Sequence, residues 1–225
     1  MFHPISMKEV WMERNRIDEH KKRKPSGAAV IQASLTEALY RALFQEWALC
    51  GYNGIRLERV AARAGAGKAA IYRRWATKQA FASEAINQTG ILLATVEDCG
   101  SLQKDIFAFL VKLRVTLRHP LVRKILPDIH AESARNGELA AQLNELASTR
   151  RKLGAAIFER AIMRGELSDN TDINFALDLL PSTLYWQMVI LRKHISSREL
   201  KVQADVIFNA IRQPSKNSDR GSHYR

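Results

Sequence analysis

The segment that decides the fold is residues 51–81, which read GYNGIRLERVAARAGAGKAAIYRRWATKQAF. Val60 and Ala61 set an aliphatic side chain beside a small one, as two short helices that cross at close range require. Gly65 follows four residues after Ala61, where the turn between the helices needs a residue that tolerates positive φ. Ile71 then supplies an aliphatic side chain that the second helix can bury against the first. This spacing predicts a helix-turn-helix.

The outward face of the second short helix carries positive charge. With Ile71 turned inward, the spacing leaves four residues on that face: Lys68, Ala69, Tyr72 and Arg73. Two cations and one phenol suit contacts with phosphates and base edges, and a helix of this kind fits the major groove of B-DNA. The segment therefore indicates that this helix can enter the groove.

The charge of the whole chain points to a polyanionic partner. The formal net charge is +12, and residues 20–80 hold 12 Lys and Arg against 3 Asp and Glu. Four of these cations form the run Lys21–Lys24, just before the first predicted helix. Because the excess is concentrated around the helix-turn-helix, the sequence predicts a basic N-terminal module on a more balanced body.

Outside this module, apolar residues recur at helical spacing and no run alternates for long enough to be a strand. We predict an all-α protein of about nine helices, with residues 1–25 and 213–225 disordered. The helices are expected over about 28–50, 57–64, 68–75, 78–96, 102–117, 121–135, 138–164, 172–194 and 198–212. Pro127 and Pro181 are expected to kink or split the helices that contain them, because proline lacks an N–H and clashes with the preceding turn.

Several classes of protein are disfavoured by what the chain lacks. No apolar run approaches the roughly 18 residues of a membrane span, and no secretory signal is visible. The two cysteines lack metal-site spacing, and Gly65–Lys68 lacks the other residues of a nucleotide-binding loop. We therefore expect a cytoplasmic protein that is not an enzyme and that needs no metal or cofactor.

The motif resembles the DNA-binding domain of the TetR/AcrR family of transcriptional regulators. The resemblance rests on Val60–Gly65, Lys68, Ile71–Trp75 and Lys78, and it is close over about residues 28–85 and weak beyond them. It implies a three-helix DNA-binding head over residues 26–80 and an effector-binding and dimerisation domain over residues 81–212. A homodimer would then bind double-stranded DNA at a palindromic operator, as a repressor that a small molecule releases.

The resemblance also assigns roles to individual residues. The implied DNA contacts are Lys24 in the basic arm, and Arg56, Gly67, Lys68, Ala69, Tyr72, Arg73 and Lys78. Lys78, at the start of the fourth helix, would bind a phosphate. The family usually has a hydroxyl side chain where this chain has Arg56 and Gly67, and often where it has Ala70. We therefore expect Tyr72 and Arg73 to provide much of the direct contact, with backbone and shape readout supporting them.

Candidates for an effector pocket are less distinctive. They are Phe107, Leu110, His130, Tyr185 and Trp186; packing in the core or in a dimer interface also explains the apolar ones, and an ordinary core or surface position also explains His130. Two other functions stay open: an all-α ligand-binding or enzymatic protein with an incidental basic head, and a DNA-binding protein without an effector. The natural start also stays open among Met1, Met7 and Met12.

Overall fold

The computed structural model describes residues 27–94, 96–135 and 137–212. Within these ranges the chain is helical without strands, which confirms the predicted all-α class. The helices are α1 Gly27–Gly54, α2 Leu57–Arg63, α3 Lys68–Tyr72, α4 Lys78–Ala94, α5 Leu102–Arg118, α6 Pro120–Arg135, α7 Gly137–Met163, α8 Ile173–Tyr185 with a π-helical turn Trp186–Ile190, and α9 Ser197–Arg212. Among the described residues, no helix combines the length and apolar character needed to cross a lipid bilayer.

The predicted stop and start signals act where the sequence places them. Gly51 interrupts α1 with a φ of 71°, a value that L side chains rarely adopt. The Thr77 hydroxyl accepts a hydrogen bond from the Ala80 N–H at 3.0 Å and so caps α4. Gly100, with a φ of 83°, lies in the break before α5.

The chain folds into two compact units. Within the described ranges, the first joins residues 27–92 with Arg118–Ser148, so α6 packs on the same core as the helix-turn-helix. That core is aromatic and aliphatic, and its central members include Leu43, Trp47, Val60, Ile71, Phe81 and Ile125. The predicted division near residue 81 separates a DNA-binding function from an effector-binding function. It is not defined by compact units, and it stays a prediction.

Within the described ranges, the second unit joins Leu93–Leu117 with residues 149–212. Its fully buried carboxylate, Asp105, accepts hydrogen bonds from Arg164 at 3.2 Å, Arg160 at 3.5 Å and the Cys99 N–H at 2.7 Å. A buried charge needs such partners to offset its lost hydration. This network fixes the break between α4 and α5 to the end of α7.

The split expected at Pro127 and Pro181 does not occur: each proline lies inside a helix that continues past it. Pro127 is exposed, so water can satisfy the Arg123 carbonyl that loses its N–H partner. The predicted helix over 172–194 also ends early, because its last turn widens until the Leu191 N–H bonds to the Trp186 carbonyl at 3.0 Å.

Candidate nucleic-acid interface

The helix-turn-helix has the packing that its sequence requires. Val60 and Ile71 are fully buried and Ala61 is nearly so, which brings α2 and α3 into contact. Gly65 makes the turn with a φ of 68°, and the Ala66 N–H returns to the Ala61 carbonyl at 2.9 Å. The three steric demands read from the sequence are therefore met.

Most predicted DNA contacts lie on the surface of this motif. Six of them are solvent-exposed: Arg56, Gly67, Lys68, Ala69, Tyr72 and Arg73. Arg56 and Gly67 occupy the N-cap positions of α2 and α3, and neither provides a side-chain cap, as their lack of a hydroxyl predicts. Lys24 lies outside the described residues.

Lys68 has a partner that the sequence analysis missed. Its ammonium group forms an ion pair with Glu58 of α2 and lies 5.4 Å from the centroid of the Tyr72 ring. The hydrogen bond with Lys68 lowers the pKa of the Glu58 carboxyl, and the same bond raises the pKa of Lys68. Both groups are therefore charged at neutral pH, so Glu58 would compete with any phosphate that approached the Lys68 ammonium.

Lys78 is held at the start of α4. Its Nζ donates to the Tyr52 carbonyl at 3.1 Å and lies 4.5 Å from the centroid of the Tyr52 ring. The side chain is half-buried, so its position is more restricted than that of an exposed lysine. This geometry suits a single phosphate contact at a defined place rather than a diffuse basic surface.

Two acidic side chains, one on α1 and one on α4, hydrogen-bond to the helix-turn-helix. The buried Glu46 of α1 accepts from Arg59 and Arg63 of α2, each at 3.4 Å. Glu84 of α4 accepts from the Tyr40 hydroxyl at 2.7 Å and from the Trp75 indole at 2.8 Å. These contacts fix α2 and the end of α3 against α1 and α4.

The predicted effector residues lie in different surroundings. Leu110 is fully buried, Phe107 and Tyr185 are half-buried, and Trp186 is 55% exposed, all in the second unit. His130 is exposed and belongs to the first unit. An open groove of about 450 Å³ in the second unit involves none of the five, and it is lined by Gln187, Arg198, Glu199, Val202 and Gln203. The role of the five predicted residues in effector binding stays a prediction.

The Gly65 turn provides a direct test of the motif. A Cβ on Gly65 would meet no atom within 4 Å, so substitution is opposed by backbone strain alone. We expect Gly65→Ala to lower the free energy of unfolding by about 1–2 kcal/mol, measured by urea denaturation. Gly67→Ser is the control, because Gly67 has a φ of −79°, which any residue can adopt, and Ser would add a missing helix cap. This variant should raise the free energy of unfolding by a few tenths of a kcal/mol, about the usual gain of Ser over Gly at an N-cap. Equal losses in both variants would contradict the assigned turn.

The geometry and charge of this site define a helix-turn-helix DNA-binding protein. Comparison with known proteins gives a more specific answer. The family model described as "Bacterial regulatory proteins, tetR family" matches residues 39–85, and the model described as "Tetracyclin repressor-like, C-terminal domain" matches residues 96–207. The chain belongs to the TetR family of transcriptional regulators.

Individual relatives agree with this family. The chain is 27% identical over 201 residues to the HTH-type transcriptional regulator YdeS of Bacillus subtilis (strain 168), covering 86% of this chain and 94% of that protein. A TetR-family transcriptional regulator from Rhodococcus sp. superposes with a TM-score of 0.65 at 17% identity, over 80% of this chain and 100% of that one. The regulator FadR of Bacillus subtilis, in complex with stearoyl-CoA, gives a TM-score of 0.61 at 14% identity, over 78% and 97%. The structural matches establish a shared fold.

Proposed function

We propose that this regulator is a homodimeric repressor that binds a palindromic operator in the cytoplasm and is released by a small-molecule effector. It acts by binding rather than by catalysis. The observation that carries the proposal is the cationic face of α3, held at a fixed angle by the Gly65 turn and by Glu46 and Glu84. Arg73 and Tyr72 would read base edges, while Lys78 would bind a phosphate.

The surface of the second unit supports a homodimer. Helix α9 buries one face, which includes Leu200 and Ile207, yet it also exposes Val202 and Val206 on another. The neighbouring π-helical turn exposes Trp186 and Ile190, each more than half accessible. Gln203 of α9 donates a hydrogen bond to Gln187 of this turn at 2.7 Å, and exposed apolar residues on two elements in contact mark protein interfaces. We assign this surface, defined by these four exposed residues, to the contact between two copies.

An effector is supported by family membership and by the relatives' folds. The FadR structure holds stearoyl-CoA, so this fold can carry a large ligand with a long acyl chain in that protein. The half-buried Phe107 and Tyr185 remain our candidates for lining such a site here. An effector can only release the operator if it binds the DNA-free arrangement more tightly than the DNA-bound one.

The proposed function is tested by selecting duplexes from random DNA with the purified chain and then titrating salt. We expect a palindromic site, bound by one dimer. If each head neutralises three or four phosphates, log K should fall with log salt at a slope of about −6. Binding without sequence preference, or an affinity that does not change with salt, would count against a regulator that recognises an operator. A thermal-shift screen of small molecules would then identify the effector.

A further inference from the structure

One carboxylate of α6 reaches the C-terminal end of α1. Asp128 accepts two hydrogen bonds on the same oxygen, Oδ2: from the Trp47 indole at 2.5 Å and from the Tyr52 N–H at 2.7 Å. The kink at Gly51 turns the Tyr52 backbone away from the helical path of α1. A Cβ on Gly51 would lie 3.8 Å from that oxygen, an ordinary contact distance, so position 51 favours glycine for its φ of 71° and not for space.

Tyr52 contacts both Asp128 and Lys78. Tyr52 is buried, its carbonyl accepts from the Lys78 ammonium, and its ring lies beneath the same group. The N–H bound by Asp128 and the carbonyl bound by Lys78 both belong to Tyr52. A shift of Tyr52 would therefore move both contacts of the Lys78 ammonium together.

We propose that Asp128 is a positioning residue for DNA binding, which fixes Tyr52 so that the Lys78 ammonium is aimed at its phosphate. The carboxylate does not touch DNA in this scheme and acts only through Tyr52. The assignment of Lys78 to a phosphate rests on the proposed function. The effect of Asp128 on the Lys78 ammonium does not rest on the proposed function, because it can be measured without DNA.

The DNA-free measurement uses the reactivity of the Lys78 amine toward an acylating reagent, followed by mass spectrometry. Asp128→Asn keeps the shape of the side chain and removes its charge. We expect Lys78 to be acylated at least about twofold faster in this variant, because weaker hydrogen bonds to Tyr52 loosen its two contacts. Glu132→Gln is the matched control: Glu132 is on the same helix, but it accepts from the Asn53 side chain at 2.9 Å, one residue beyond Tyr52. Unchanged labelling in Asp128→Asn, or equal increases in both variants, would overturn the proposal.

The DNA measurement is a double-mutant cycle on the selected duplex. Asp128→Asn and Lys78→Met should each weaken binding by about three- to tenfold, and the double variant should be no weaker than Lys78→Met alone. Losses that multiply would show that Asp128 acts independently of Lys78 and would overturn its positioning role. If the wild-type chain binds no duplex, the proposed function fails while the labelling result still stands. Should Asp128→Asn not fold, Asp128→Glu, which keeps the charge but displaces it, takes its place in both measurements.

Discussion

Arg73→Ala is expected to reduce the preference for operator over random DNA by about 1–3 kcal/mol at each half-site, the discrimination that a bidentate arginine–guanine contact provides. Arg73 follows α3 directly, is exposed, and lies on the predicted groove-facing side beside Tyr72. The effect should appear as a fall in the ratio of operator to random-duplex affinity, measured by fluorescence anisotropy at fixed salt. Binding to random DNA should fall much less.

The adjacent arginine is a matched control for this prediction. The Arg74 guanidinium turns back to donate to the Ala70 carbonyl at 3.3 Å, and the side chain is half-buried. Arg74→Ala removes the same charge from the next position and should leave the affinity ratio nearly unchanged. If both variants lowered the ratio equally, the loss of discrimination would not be specific to Arg73, and its role as a base reader would be wrong.

Lys78→Ala is expected to behave differently from Arg73→Ala. A phosphate contact carries no sequence information, so operator and random duplexes should lose affinity alike. The salt slope of a dimer should become less steep by about two, since one phosphate contact is lost from each head. A selective loss of operator binding in anisotropy titrations would instead place Lys78 among the base contacts.

The helix-turn-helix could be predicted because its demands are local. Val60, Gly65 and Ile71 lie within twelve residues, and each has a steric requirement that few residue types meet. The exposed cations on α3 follow from the same spacing, since fixing Ile71 inward also fixes which side chains point outward. For this reason the predicted packing and the exposure of the face agree with the structure.

The residues that support this face could not be predicted in the same way. Asp128 acts on Tyr52 from 76 positions away, and Glu84 meets Tyr40 from 44 positions away, so no local pattern connects them. Glu46 did leave a signal: it falls three residues after Leu43, on the apolar face of α1, where an acid needs a buried partner. The identity of that partner depends on how α2 crosses α1.

Helix ends were predicted well only where a side chain or a glycine determines them. Thr77 caps α4 where the sequence places its start, whereas Gly51 kinks α1 at the predicted end and the helix continues to Gly54. The end of α8 depends instead on a π-helical turn after Tyr185, which no residue type specifies on its own. Sequence spacing therefore extended this helix several residues too far.

Val206→Glu is expected to produce a monomer and to weaken operator binding by about 100-fold or more. Val206 is 61% exposed on α9, beside Val202 and on the surface that we assign to the homodimer. A carboxylate there would be buried without a partner when two copies associate, and two-fold symmetry introduces the substitution twice into one interface. Once the subunits separate, the two heads no longer bind their half-sites as one molecule, and the gain from effective concentration is lost.

Sedimentation velocity and anisotropy on the same preparations would test this prediction. Met163→Glu is the matched control, because Met163 is 79% exposed at the end of α7, outside the assigned surface, and the change in charge is the same. The control should remain a dimer with wild-type operator affinity. In both variants the helix-turn-helix of α2 and α3 should stay folded, with the same melting temperature as in the wild type. A dimeric Val206→Glu protein would move the interface away from α9. A monomer that still bound the full operator tightly would mean that one head suffices, which contradicts recognition of a palindrome by a homodimer.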